Sequence, residues 1–359
     1  MSRLLELHDR GGQSPWLDYL RRDHLRDGTI AGLVARGVRG LTSNPSIFEA
    51  ALRSTDAYDG AISRAAAAGT DAETAFWDIA CEDVTAAADL FSELHRSSEG
   101  RDGFVSIEVD PRLAHDAAGT VAQAVSLWGR LGRPNAMIKV PATRDGLVAV
   151  EELLARAVNV NVTLIFGLDR YAEVLDAHQR GLDRLASTEP SALARTSSVA
   201  SFFVSRVDAL LDPVLPERLR GRAAVAQASL AWALWSRHTG SPAWQSLELR
   251  GARPQRPLWA STSTKNPAYP DTKYVDALVG PGTVNTLPLP TLLAFDDHGS
   301  PAPSIADGLP DAERDWAEIS SLVDVVAAAE RLESEGVAAF ESSIDSVLAA
   351  IAGSLAARR

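Results

Sequence analysis

The chain has 359 residues, 46% of them hydrophobic, with 35 Lys+Arg against 47 Asp+Glu and a net charge of −12. That is ample material for a large core, and the acidic balance disfavours a nucleic-acid or anionic-membrane surface while leaving room for a small local phosphate site. The single cysteine, Cys81, excludes an intramolecular disulfide and reads as a small buried hydrophobe; no stretch approaches 18 apolar residues, the N-terminus has no long apolar segment, and cytoplasmic residence is the default expectation.

Brief apolar runs with turn punctuation predict eight strands, at about 15–20, 38–44, 103–109, 136–141, 160–166, 198–204, 257–262 and 283–287. Between them lie helical patterns at about 144–156, 168–186 and 223–238, and the interval 45–102 is long enough for several helices. Strands alternating with helices indicate a parallel sheet, and eight such units predict an α/β (β/α)8 TIM barrel forming one domain over 1–359. Extra helices are expected between strands 2 and 3. The tail from about 311 reads as helices packed outside the barrel, because Ile319, Leu322, Val323, Val326, Val337, Phe340, Ile344, Val347 and Leu348 are spaced as a buried face.

Period-2 alternation puts polar groups near the C-terminal ends of these strands, where barrel enzymes build their sites. Asp18 interrupts an apolar run, Thr42 and Asn44 follow Leu41, and Ser106, Glu108 and Asp110 share one face of the third strand. Asn161 and Thr163 share a face of the fifth, Ser201 lies in the sixth, and Arg206 follows it. Each has a plainer alternative: a helix cap for Asp18, a turn for Asn44 before Pro45, local hydrogen bonds for Asn161 and Thr163, and a solvated ion pair for Arg206. The seven histidines give no metal spacing, and Asp296-Asp297-His298 before Gly299 reads as a polar loop.

Lys139, in Ile138-Lys139-Val140-Pro141, stands where a core strand would stop. A lysine is costly to bury; one held in an apolar pocket is driven toward the neutral amine, which can attack a carbonyl and form a Schiff base. The alternative is a strand-end lysine whose head reaches solvent.

Seven segments in order resemble the transaldolases, in particular their longer form. They are Trp16-Leu17-Asp18, Leu41-Thr42-Ser43-Asn44-Pro45-Ser46-Ile47-Phe48, Val105 through Ala114, Ile138 through Thr143, Asn159 through Phe166, Ala200 through Asp208, and Trp259-Ala260-Ser261-Thr262. The resemblance implies transfer of a dihydroxyacetone unit from sedoheptulose 7-phosphate to glyceraldehyde 3-phosphate, with no cofactor and no metal. It implies Lys139 as the Schiff-base lysine, Asp18 and Glu108 as the acid/base pair, and Thr163 as the residue positioning a catalytic water. Asn44, Asn161 and Ser201 would bind substrate hydroxyls and Arg206 the phosphate, and a homodimer is a family-level expectation. The pattern departs in Ser261-Thr262-Ser263-Thr264-Lys265, where Lys265 stands in for a second arginine of some members and either Ser261 or Ser263 would supply a hydroxyl. A fructose 6-phosphate aldolase releasing free dihydroxyacetone, or a catalytically silent barrel, are the rival readings; retention of Lys139, Asp18 and Glu108 argues against the second.

Overall fold

The computed structural model describes residues 2–358. Eight parallel strands close on themselves in sequence order: β1 (Ser14–Asp18), β2 (Gly40–Thr42), β3 (Phe104–Glu108), β4 (Ala136–Pro141), β5 (Val160–Ile165), β6 (Ser198–Phe203), β7 (Arg256–Ala260) and β8 (Val284–Leu287). All eight expected strands form. Almost every strand residue is buried, as a sheet covered on one side by helices and filled on the other by its own side chains requires. The helices Arg144–Ala155, Leu168–Thr188 and Ala223–Thr239 lie where the apolar periodicity puts them, and three helices, Pro45–Ser54, Asp59–Ala67 and Ala72–Ser97, fill the long interval between β2 and β3.

The strand ends differ from the sequence reading for local reasons. β2 stops at Thr42 rather than running to Asn44, because Asn44 caps the next helix by accepting from the Ile47 amide at 2.9 Å, and Pro45 is preset for its first turn. β7 stops at Ala260 because Ser261 turns into the left-handed region, at φ 56°. In β5, Leu164 has φ 61° and the pairing with β6 slips between Val162 and Ile165. A bulge of this kind re-aims side chains at a strand's end, here beside Thr163. Asp296 and His298 belong to the last turns of the helix Leu289–His298 instead of a loop; Asp296 pairs with Arg36, and His298 with Asp271 and Asp297.

The bottom of the barrel is closed by a satisfied ionic plug. Asp102 is buried between Arg39, at 2.6 Å, and Arg256, at 3.1 Å, and these partners hold its carboxyl below the usual range against the opposing effect of burial. The helix Arg144–Ala155 sits directly on the end of β4: a Cβ on Gly146 would stand 1.9 Å from the Pro141 carbonyl oxygen, so only glycine lets the helix pack there and hold the strand carrying Lys139.

The tail forms two helices, Leu309–Leu322 and Val325–Ala356. The second does more than pack on the outside. Its course is marked by Gly336 against Leu164 and Phe166 at the end of β5, Ser343 hydrogen-bonded to Ser46, Ser346 to Glu49, and Arg358 to Asp59, so it crosses the mouth of the barrel from the β5 side to the β2 side. By length and composition alone this helix is long and apolar enough to cross a membrane, which the sequence reading did not register; in the fold Phe340, Ile344, Val347 and Ile351 are buried against the barrel. Leu322 and Val326, expected on the buried face, are exposed.

Candidate active site

The strand register brings the polar residues together. Glu108 pairs with Lys139 across β3 and β4, Lys139 with Asn161 across β4 and β5, and Asp18 with Thr42 across β1 and β2. A cleft of about 180 Å³ opens above them, lined by Asp18, Asn44, Lys139, Thr163, Ser201 and Arg206 together with Ser261, Ser263 and Lys265. Of the eleven sequence candidates only Glu108 and Asn161 do not reach this cleft. Three larger cavities lie elsewhere, and in two of them many charged groups are paired within the protein: Arg180 and Arg184 with Glu151 and Glu152 in one, and Asp102 with its arginines in another.

Lys139 is 4% exposed. Its Nζ donates to the Ser43 carbonyl at 3.2 Å and stands 3.2 Å from Glu108 Oε2, an ion-pair contact in which neither carboxylate oxygen meets hydrogen-bond geometry. The Phe340 ring lies 5.8 Å from the same nitrogen. The apolar pocket expected from sequence is therefore apolar on one side only. Glu108 stands behind the lysine, also lining a small cavity of about 10 Å³ walled by Phe48, Phe76, Trp77 and Ile344.

Burial pushes the Glu108 carboxyl up from its ordinary value, against the opposing pull of Lys139. Asp18 is raised for the same reason; Lys139, the Thr42 hydrogen bond and Lys265 pull the other way. Part of its surface stays open to the cleft while protein packs closely around the rest. Thr42 Oγ1 donates to Asp18 Oδ1 at 2.6 Å and lies 2.6 Å from Thr286 Oγ1, which fixes the carboxylate's orientation. Two carboxyls raised above their usual range in the same site as one amine are suited to take and return protons.

Asn44 satisfies both sequence readings at once. Its oxygen caps the helix, and its amide N–H groups remain free at the cleft. Thr163 Oγ1 is buried with no hydrogen-bond partner among the described residues. Asn161 is placed one layer deeper than expected: it is 0% exposed, donates to Ser106 Oγ at 3.1 Å, and accepts from Ser201 Oγ at 2.7 Å. Asn161 and Lys139 are neighbours in register, but the long lysine reaches the cleft and the short amide does not. Asn161 thus orients Ser201, which does line the cleft.

The other end of the cleft carries two cations that make no ion pair among the described residues. Arg206 makes no hydrogen bond or ion pair among the described residues, and its guanidinium lies 5.6 Å from the centre of the Phe203 ring. Lys265 donates to Ser263 Oγ at 2.9 Å and has no carboxylate within ion-pair distance. Burial depresses both cations and the proximity of Arg206 lowers Lys265 further, while Glu335 pulls Arg206 and Asp18 pulls Lys265 the other way. Their convergence is built by a staple: Tyr269 donates to Asp212 at 2.6 Å, Tyr274 to Asp208 at 2.9 Å, and Lys273 stands 3.4 Å from Asp208. These contacts tie the segment after β7 to the helix Ser205–Leu211, which contains Arg206. The solvated ion pair is not what forms. A half-buried arginine and an exposed lysine, neither with a carboxylate at ion-pair distance among the described residues, give this end a cationic character suited to an anion.

The family model described as Transaldolase/Fructose-6-phosphate aldolase matches residues 15–351. The chain belongs to that family. Proteins named transaldolase from Frankia alni (46% identity, 99% of this chain and 98% of the relative), Thermobifida fusca (46%, 99% of each) and Mycolicibacterium smegmatis (44%, 97% and 96%) are similar over nearly their whole lengths. With such relatives the chain is an enzyme of the transaldolase kind.

The sequence reading did not assign several groups that line the cleft: Thr42, Ser46, Phe203, Thr286, Pro288 and Phe340. Thr42 carries a readable signal as the polar member of β2 at its C-terminal end, whereas Thr286 stands next to Asn285 in a strand that is half polar. Phe340 carries only the signal of a buried helix face.

Proposed function

We propose that this enzyme transfers a dihydroxyacetone unit from sedoheptulose 7-phosphate to glyceraldehyde 3-phosphate, giving erythrose 4-phosphate and fructose 6-phosphate, through a Schiff base on Lys139, as a step of the pentose phosphate pathway. The observation that carries this reading is the polarity of the cleft: a buried amine paired with Glu108 and sharing the cleft with Asp18 at one end, and two cations with no carboxylate at ion-pair distance among the described residues at the other. A ketose whose carbonyl reacts at the first end and whose terminal phosphate rests at the second spans both.

In this reading the donor ketone accepts the neutral Lys139 amine. Glu108 takes the ammonium proton and then, with a water held against Thr163 Oγ1, returns protons as the carbinolamine loses water to the iminium. The C3–C4 bond then breaks, its electron pair flows into the iminium to give the enamine, and Asp18 takes the C4 hydroxyl proton as erythrose 4-phosphate leaves. The retained unit has no phosphate, so the covalent bond and the hydroxyl contacts of Asn44 and Ser201 must hold it. Glyceraldehyde 3-phosphate enters with its phosphate at Arg206 and Lys265, the enamine attacks its aldehyde carbon, and Asp18 returns the proton to the new hydroxyl. Addition of water at the iminium, with Glu108 again moving the protons, frees fructose 6-phosphate and the lysine.

A coupled assay supplying fructose 6-phosphate and erythrose 4-phosphate tests the reading in the reverse direction. Sedoheptulose 7-phosphate should form only when both sugars are present. Steady release of free dihydroxyacetone from fructose 6-phosphate alone, at a rate matching or exceeding transfer, would move the reading to the aldolase.

A further inference from the structure

The helix Val325–Ala356 brings one side chain into the active site from outside the barrel strands and their loops. Phe340 is 5% exposed, lines the cleft with Lys139, Thr163, Ser201 and Phe203, and holds its ring 5.8 Å from the lysine nitrogen. Its position follows from the helix around it. One turn earlier, Gly336 faces the end of β5, where an added Cβ would stand 3.0 Å from Leu164 Cδ2. The absence of a side chain lets the helix lie close on β5, which lowers Phe340 onto Lys139 on the same face. One turn later, Ser343 is hydrogen-bonded to Ser46 at 2.8 Å, and Ser346 donates to Glu49 at 2.7 Å, anchoring the helix on the far side of the cleft. Glu333 pairs with Arg170 at 3.2 Å on the near side. The aromatic ring is therefore clamped at both ends of its crossing.

A phenylalanine cannot move protons or bind a sugar hydroxyl strongly, so its contribution at this point is to exclude water. Resting on the functional reading above, we propose that Phe340 is a specificity-determining residue that covers the lysine-bound three-carbon enamine and makes an aldehyde, rather than water, its acceptor. Transfer and loss share every step up to the enamine. Loss then consumes one water in all: a proton forms a C–H bond at C3, the oxygen adds at C2, and the C2–N bond breaks to release dihydroxyacetone and the free lysine amine. The step that transfer does not need is proton delivery to C3. An apolar ring over the nitrogen and its attached unit denies bulk water that approach, while Glu108 and Thr163 still serve the imine from behind. The sugar acceptor enters along the polar floor of the cleft, from the side of Arg206 and Lys265, without displacing the ring.

The test measures two rates on each protein: dihydroxyacetone released from fructose 6-phosphate alone, and transfer when erythrose 4-phosphate is added. In the wild type, transfer should dominate. Phe340→Ala should raise the release-to-transfer ratio severalfold, and Phe340→Leu, which keeps a smaller apolar cover, should raise it less. Val347→Ala removes a buried contact of the same helix that does not line the cleft, and should leave the ratio at the wild-type value. If Phe340→Ala does not fold, Phe340→Leu decides by its own ratio. An unchanged ratio at position 340, or an equal rise in Val347→Ala, overturns the inference. A wild-type protein that transfers nothing at all overturns instead the functional reading on which it rests.

Discussion

The two ends of the cleft solve opposite electrostatic problems. At the Lys139 end, a buried amine stands at ion-pair distance from the buried Glu108 and shares the cleft with the partly open Asp18, so its charge is answered within the protein and protons have somewhere to go. At the Arg206 end, a half-buried arginine and an exposed lysine share the cleft with no carboxylate at ion-pair distance among the described residues, and in the proposed function a ligand supplies the counter-charge. A purely structural cluster would be closed like the Asp102 plug at the bottom of the same barrel, where each arginine reaches its carboxylate. In the proposed function the contrast separates chemistry at one end from recognition at the other, and substitutions at the two ends should therefore change different quantities.

The largest effects are expected at the acid–base end. Loss of one general acid–base group should lower turnover by about 10²- to 10⁴-fold. Asp18→Ala should still form the Schiff base but block carbon–carbon cleavage, whereas Glu108→Ala should slow imine formation and hydrolysis. Rapid-quench trapping with donor alone checks this division; adduct forming at the wild-type rate in both variants would contradict it. At the phosphate end Arg206→Ala should raise the KM for fructose 6-phosphate and erythrose 4-phosphate by about ten- to a hundredfold, from roughly 1.5–3 kcal/mol for a charge-assisted contact, and should spare unphosphorylated glyceraldehyde. Lys265→Ala should do the same more weakly. An equal penalty on phosphorylated and unphosphorylated substrates would make Arg206 a structural residue.

A smaller effect tests how the recognition end is assembled. Tyr269→Phe removes the hydroxyl that ties the Lys265 segment to Asp212, and should raise the KM for phosphorylated substrates about two- to tenfold with kcat little changed. A fall in kcat at constant KM would break the proposed separation of the two ends.

The smallest expected effect is on stability. The Asp18 carboxyl is raised in the fold, so between its ordinary value and its folded one the native state binds more protons than the unfolded state. The stability associated with this group is full below the ordinary carboxylate value and declines as pH rises through the folded one. Asn at this position imitates the protonated form. Asp18→Asn should therefore raise the melting temperature at neutral pH, and the gain should vanish below about pH 4, where the unfolded carboxyl is itself protonated. A gain that persists unchanged in acid would assign the effect to packing.

The barrel was legible because β3, β4 and β5 are short runs of buried residues between turn signals, with Glu108, Lys139 and Thr163 breaking the apolar pattern near strand ends. Three features were not. The depth of Asn161 depends on side-chain length at a shared register position, which alternation does not encode. The early end of β7 depends on the left-handed turn at Ser261, a conformation that serine rarely adopts and its sequence does not announce. The passage of the last helix over the cleft was hidden because the spacing of Val337, Phe340, Ile344 and Val347 specifies a buried face without naming what it faces; Gly336, which lets that helix lie close, is silent until its neighbours are known.

The central claim is that Lys139 carries the covalent intermediate. Borohydride added to the enzyme with fructose 6-phosphate should fix a three-carbon adduct on the peptide containing Lys139, and Lys139→Ala should abolish both labelling and transfer. An adduct on any other lysine, or undiminished labelling of Lys139→Ala, would contradict the account.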